Sequence, residues 1–168
     1  MAEQTEIPAS AARARTGLLA LVVLLHIAGV VVNLNAVISG RSPNLMESVV
    51  AAAYAASWFA FAVVAGWTSG SRMVRTLAIL WAAVLAIFGL ALAVRDVELL
   101  PQGLRSAFIP VLAVLATPLY GASGALRVVD PLVALLICTA VLGLSCCVVA
   151  WLAARAAQRR ASSTQVAA

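Results

Sequence analysis

Three polar residues inside a long apolar run are the side chains of this sequence best placed to do chemistry. They are His26, Asn33 and Asn35, within the uncharged stretch Gly17–Ser39. Histidine titrates near neutral pH and can relay a proton or bind a ligand. An ionisable residue inside a membrane-spanning helix is a functional hypothesis from the outset. We therefore treat these three residues as candidate site residues.

Helical periodicity brings two of the three candidates to one face. Residues seven positions apart differ by only about 20° around a helix, so His26 and Asn33 belong to one stripe. The polar stripe consists of His26, Gly29, Asn33, Ala36 and Gly40. It could line a solute path, or a neutral His26 could form a hydrogen bond across a helix seam. Asn35 falls on the opposite face, where we expect it to reach loop backbone or lipid headgroups.

An aromatic ridge follows in the next apolar run. Tyr54, Trp58 and Phe61 recur at helical spacing. Such a ridge could form a slot for a quinone or a lipid, although core or lipid packing explains it more simply.

The sequence lacks the residues that most cofactor-binding sites and catalytic mechanisms require. Haem held by two histidines needs a second histidine, and nucleotide phosphoryl transfer needs a lysine that this sequence does not contain. Cys138, Cys146 and Cys147 lie in the last apolar run, so no loop pair indicates thiol redox chemistry or a metal site. The string Gly121–Gly124 has the Gly-x-Ser-Gly pattern of intramembrane serine proteases without the histidine on a neighbouring helix. The sequence predicts no enzyme, cofactor or metal.

Composition determines what must position these side chains. The chain of 168 residues is 64% apolar and only 10% charged, whereas a soluble domain carries about a quarter charged residues. All eleven basic residues are arginine, without a basic stripe that would indicate nucleic-acid binding. The arginine and alanine bias is typical of a bacterium with a GC-rich genome. These features predict an all-α, polytopic transmembrane helical bundle in the cell membrane.

Four runs are long enough to cross a hydrocarbon core, which takes about 20 helical residues. The predicted spans are residues 17–39, 45–68, 74–94 and 131–154. Asn44 with Glu47 forms a capping-box pattern before the second span, and Asp130 before Pro131 is an N-cap pattern for the last. We expect one transmembrane domain over 17–155, a disordered cytoplasmic tail over 1–16 and a disordered polar tail over 156–168.

A proline-broken apolar helix at about 104–120 leaves the span count open. Pro110 and Pro118 interrupt it, so it is either re-entrant or a kinked fifth span. With four spans and a cytoplasmic N-terminus, arginines divide seven inside to four outside. Five spans give five to six, or six to five with the N-terminus outside. The positive-inside rule favours four spans.

Small residues recur along three of the predicted spans and indicate close helix packing. The stripes are Ala52, Ala56 and Ala60; Ala82, Ala86, Gly89 and Ala93; and Thr139, Gly143 and Cys147. We expect them to form the seams of the bundle. The sequence favours a non-enzymatic accessory, scaffold or assembly component acting through helix packing, with a larger membrane protein or a second copy as partner. The alternative is a small-solute or lipid transporter or channel that uses the His26–Asn33 stripe and the broken helix.

Overall fold

The fold was obtained as a computed structural model, which describes residues 9–95, 110–111, 114–115, 117–126 and 130–166. The helices are α1 (Ala9–Ser39), α2 (Leu45–Arg95), α3 (Tyr120–Ser123) and α4 (Pro131–Val166), with 3₁₀ turns at Thr117–Leu119 and Gly124–Leu126. Within these ranges the regular structure is entirely helical, as predicted. Three helices, α1, α2 and α4, are long and apolar enough to cross a membrane.

Helix α2 reverses direction at Gly70. That residue has φ 57° and ψ −145°, a conformation that only glycine adopts without strain. The ring centroids of Trp58 and Trp81 are 5.1 Å apart, whereas a straight helix would separate these residues by about 35 Å. The N-terminal arm (45–69) and the C-terminal arm (71–95) therefore pack against each other as a hairpin. The sequence predicted a helix end at this point from the Thr68–Ser71 string.

Contacts between the helices define two opposite ends of the bundle. At the arginine-rich end, Arg15 Nη1 donates to Ser69 Oγ at 2.8 Å, and the Arg160 guanidinium lies 4.9 Å from the Trp67 ring. At the other end, which we call the cap end, the Tyr120 hydroxyl donates to the Arg41 carbonyl at 2.7 Å. The start of α1, the turn at Gly70 and the end of α4 thus lie together.

Two of the three small-residue stripes do not form seams among the described residues. On α4, Thr139 and Gly143 are buried as predicted, but all members of both α2 stripes are exposed. The reason is geometric: the aromatic ridge and the stripe Ala52–Ala60 lie on opposite faces of one helix, so only one can face the bundle. The aromatic ridge does so, and the close approach of α2 to α4 occurs instead at Gly66, against the Ala150 backbone.

The helix ends match the capping predictions but not the predicted tails. Glu47 N–H donates to Asn44 Oδ1 at 2.9 Å and Asn44 N–H to Glu47 Oε2 at 2.7 Å, and Leu132 N–H donates to Asp130 Oδ1 at 2.9 Å. Residues 9–16 and 156–166 are helical where the sequence predicted disordered tails, because alanine and arginine favour helix extension. Most of the proposed helix at 104–120 lies outside the described residues.

Candidate functional site

The candidate site is built around His26, at the middle of α1. His26 Nδ1 lies 3.2 Å from the Tyr54 hydroxyl, and the two rings meet edge to face with centroids 5.5 Å apart. His26 is half-buried and Tyr54 is buried. The sequence offered a hydrogen bond across a helix seam as one role for His26, and this contact joins α1 to α2 in that way.

The aromatic ridge extends the site into the bundle. Tyr54 and Phe61 each contact Trp58 edge to face, and Trp58 reaches across the hairpin to Trp81. All four side chains belong to the hydrophobic core. We call His26, Tyr54, Trp58 and Trp81 the aromatic cluster. The ridge is therefore part of the core rather than a lipid-facing surface.

A cavity of about 160 Å³ lies against the aromatic cluster. All four cluster residues line it, and Thr139 of α4 closes one side. Leu80, also in the lining, is 44% exposed on the outer surface of the bundle. The cavity thus lies between the core and the lateral surface of the helices.

Polar groups in this interior are incompletely paired. Among the described residues, the buried side-chain nitrogen and oxygen atoms without a hydrogen-bond partner of normal geometry are Asn33 Oδ1, Trp58 Nε1 and Trp81 Nε1. The Trp58 indole does lie close enough to the Tyr54 hydroxyl to interact with it. The Trp58 and Trp81 side chains are only 8% and 6% exposed. A buried unpaired donor costs about 1–3 kcal/mol, and buried tryptophan usually finds a partner for its N–H. Two such donors beside one cavity therefore need a physical explanation.

Asn33, the second candidate, is separate from the aromatic cluster. It is fully buried, and its Nδ2 donates to the Thr117 carbonyl at 2.9 Å. One turn earlier, Gly29 lies against Pro118 so closely that a β-carbon would stand 2.8 Å from the Pro118 Cα. The polar stripe of α1 thus contacts the C-terminal end of the proline-broken segment, at Thr117 and Pro118.

Asn35, the third candidate, does not join the other two. It is exposed on the opposite face of α1 near the cap end, as predicted. The structure therefore places the three candidates in three settings: against the aromatic cluster, against the 117–119 turn, and on the outer surface.

The cap end contains an ion pair between two described residues, Arg41 and Glu47. Glu47 is 2% exposed, and its Oε1 accepts from Arg41 Nη2 at 2.5 Å while Oε2 holds the Asn44 backbone. Ser48 Oγ donates to the Gly121 carbonyl at 3.1 Å, where a β-carbon on Gly121 would overlap the Glu47 backbone. This arrangement joins the α1–α2 turn to α3. The Glu47 carboxylate is thus held by contacts that connect the α1–α2 turn to its own helix.

The motif serine and the three cysteines are the other nucleophilic groups considered among the described residues. Ser123 Oγ is buried and donates to the Tyr120 carbonyl at 2.7 Å. The three cysteines are free thiols on α4. In the part of the chain that the structure describes, no group of three His, Cys, Asp or Glu residues could hold a metal ion.

Trp81 is the member of the site that sequence reasoning missed. The sequence feature that could have identified Trp81 is its position, because Trp58 and Trp81 lie at nearly equal distances on either side of Gly70. A hairpin at that glycine brings the two rings to the same level. Periodicity along one helix cannot reveal such a pairing, because it depends on where the chain turns back.

Comparison of the chain with protein-family models, with curated proteins and with solved structures finds no match.

Proposed function

We propose that this protein is a multi-pass cell-membrane protein with four spans, α2 crossing the bilayer once with each arm. Each arm exceeds the roughly 20 residues that a crossing requires, and the turn at Gly70 separates them. The arginine-rich end is cytoplasmic under the positive-inside rule, which also places the N-terminus inside. Trp67 and Trp151, each under an arginine side chain, then lie at the membrane interface that indole rings prefer.

Its biochemical role, we infer, is non-enzymatic: an accessory, scaffold or assembly component that packs its helices against a partner in the membrane. The observation that carries this proposal is the exposed stripe Ala82, Ala86, Gly89 and Ala93 on the C-terminal arm. A β-carbon on Gly89 would meet nothing within 4 Å, whereas Gly66 and Gly143 are both closely covered. A helical glycine costs about 1 kcal/mol relative to alanine, and close packing against the described residues does not explain Gly89.

Lipid offers no hydrophobic force to bring helices together, so close backbone approach is what drives association. The exposed stripe permits such an approach by a helix of a larger membrane protein or of a second copy. Substitution of Ala86 by leucine would fill it. Ala83 is also exposed but lies about 60° further around the helix, so Ala83→Leu is the matched control.

The test is site-specific photo-crosslinking in native membranes with the crosslinker at Leu90, an exposed residue at the edge of the stripe. We expect a discrete adduct, at twice the chain mass for a homo-oligomer or at the mass of a larger partner. The adduct should be lost in Ala86→Leu and retained in Ala83→Leu. A crosslinker at the exposed Leu144 of α4 is the positional control. Equal adducts in both variants, or none at Leu90, would contradict the proposal.

The second candidate function is a small-solute or lipid transporter or channel. The observation in its favour is that His26 lines a cavity beside the exposed Leu80. Transport would require the polar stripe to separate from Pro118 and Thr117. His26→Ala and Asn33→Ala should then abolish flux in reconstituted vesicles while the protein stays folded, and unchanged flux would remove this candidate.

A further inference from the structure

We propose that the arginine-rich end binds the headgroups of anionic phospholipids, with the Arg155 guanidinium, held at the Trp151 ring, as the group that contacts the lipid phosphate. The inference goes beyond the packing role and does not involve the stripe Ala82–Ala93 or its partner. It rests on the proposed membrane placement of the helices.

Charge is divided unequally between the two ends of the bundle. The carboxylates in the described ranges, Glu47 and Asp130, both belong to the cap end, where Glu47 pairs with Arg41. The arginine-rich end has seven arginines in those ranges: Arg13, Arg15, Arg72, Arg75, Arg155, Arg159 and Arg160. Subtracting Glu3 and Glu6, which precede α1 in the sequence, from these seven leaves an excess of five positive charges. The complementary partner of this end is therefore anionic.

Two tryptophans mark a common level at the arginine-rich end. Gly66 of the N-terminal arm lies against the Ala150 backbone of α4, and both helices run from the cap end toward the arginine-rich end. The next residue on each helix, Trp67 and Trp151, therefore lies at the same level, and the two residues are 41% and 43% exposed. Because indole rings prefer the boundary between hydrocarbon and headgroups, we expect the membrane surface at this level.

Arg155 lies at the depth of the lipid phosphates. It follows Trp151 by about one helical turn, or roughly 6 Å along α4, and the headgroup layer on each side of the hydrocarbon core is about 5–8 Å thick. The guanidinium carbon of Arg155 is 4.0 Å from the centre of the Trp151 ring. This contact restricts the side chain, so less conformational entropy is lost when the guanidinium binds a headgroup.

The chemistry of the guanidinium specifies the headgroup. It carries five N–H donors and no acceptor, and within the described part of the chain Arg155 has the contact with the Trp151 ring but no hydrogen bond or ion pair. A phosphate oxygen pair accepts two of these N–H groups at once. In a zwitterionic lipid the headgroup's own ammonium competes for the phosphate, whereas an anionic lipid has no such competitor. A phospholipid with a net negative charge therefore fits this end best.

The test measures Trp151 fluorescence in lipid nanodiscs, because bromine atoms on an acyl chain quench a tryptophan that the lipid touches. The background variant Trp67→Phe keeps a ring beside Arg160 and leaves Trp151 as the half-exposed tryptophan, since Trp58 and Trp81 are buried. Brominated phosphatidylglycerol is the anionic probe and brominated phosphatidylcholine the zwitterionic one, each diluted into the other lipid without bromine. Phosphatidylglycerol should bind beside Trp151 about fivefold more tightly, the usual value of one arginine near an anionic surface.

Three variants in this background assign the preference to Arg155. Arg155→Gln removes the charge beside Trp151 and should bring the ratio of the two binding constants close to one. Arg159→Gln removes the same charge from an exposed position of α4 that has no contact with either ring among the described residues. It is the matched control and should keep most of the preference. Arg155→Lys keeps the charge but loses the planar pair of donors, so its ratio should fall between those of the other two variants.

Two results would overturn the lipid site while leaving the membrane placement intact. The first is equal quenching by the two lipids. The second is an equal fall of the ratio in Arg155→Gln and Arg159→Gln, which would indicate diffuse attraction to the whole arginine-rich end. Failure of the membrane placement has a different signature, because neither brominated lipid would then quench Trp151. A lost crosslink at Leu90 together with an intact lipid preference would contradict the packing role alone.

Discussion

The cap end and the aromatic cluster are both buried and both contain polar groups, yet they satisfy those groups differently. At the cap end, the Glu47 carboxylate accepts from Arg41 and from the Asn44 backbone, and the Tyr120 hydroxyl holds the Arg41 carbonyl. In the aromatic cluster, the Trp58 and Trp81 indole groups remain without a described partner. Polar groups at the cap end therefore stabilise the fold through paired contacts, whereas these two indole groups are buried without that compensation.

The largest effect is expected at Glu47. Replacing it with alanine removes the acceptor for Arg41 and for the Asn44 backbone, which should lower the free energy of unfolding by about 2–3 kcal/mol. Arg41 is half-exposed, so solvent screens part of the loss. The measurement is reversible unfolding in mixed micelles with increasing SDS. Glu47→Gln keeps an acceptor for the Asn44 N–H and should lower the free energy of unfolding by less. An unfolding midpoint of Glu47→Ala equal to that of the unmodified protein would contradict the stabilising role of the cap end.

The second largest effect on stability is expected at Asn33. Asn33→Leu removes the buried hydrogen bond from Asn33 Nδ2 to the Thr117 carbonyl, at a cost of about 1–3 kcal/mol. Unfolding in mixed micelles with increasing SDS measures this loss of stability as well. Asn35→Leu on the exposed face of α1 is the matched control and should stay within about 0.5 kcal/mol of the unmodified chain. Equal losses in both variants would show that Asn33 is not the link between α1 and the 117–119 turn.

A smaller loss is expected at Tyr120. Tyr120→Phe deletes the hydroxyl that donates to the Arg41 carbonyl and keeps the buried ring, so about 1 kcal/mol should be lost. Proteolysis of the α1–α2 turn provides an independent measure, because this bond holds that turn against α3. A cleavage rate equal to that of the unmodified protein would argue against the bond.

The smallest effect on stability is expected at Trp81, although it is a buried core residue. Trp81→Phe loses some packing but also removes a donor without a described partner, so the net change should stay within about 1 kcal/mol. A stability loss above about 2 kcal/mol would mean that the indole N–H is already satisfied by the protein, and the contrast between the two regions would disappear.

Local signals in the sequence predicted the features that depend on neighbouring residues. The Asn44–Glu47 capping box, the Asp130 N-cap, the all-helical class and the His26–Asn33 stripe all follow from spacing within one helix. Composition predicted apolar helices long enough to cross a membrane, and α1, α2 and α4 meet that requirement.

Features that depend on which face of a helix meets another could not be predicted in the same way. The sequence predicted the small-residue stripes of α2 as seams and left its aromatic ridge to either core or lipid packing. The packing of Trp58 on Trp81 shows that the ridge faces the core instead. The contact of Gly29 with Pro118 likewise depends on a return of the chain that no local pattern encodes.

The contrast between the two regions has meaning only if the aromatic cluster lies in the hydrocarbon core and the two ends of the bundle lie on opposite sides of the membrane. Single cysteines at Ser42 of the cap end and at Ser71, beside the turn in α2, test this directly; both positions are exposed. A membrane-impermeant maleimide applied to intact cells should label Ser42→Cys, and should label Ser71→Cys only after permeabilisation, with the unmodified protein as the control for its own cysteines. Labelling of both positions from the same side would contradict the four-span account.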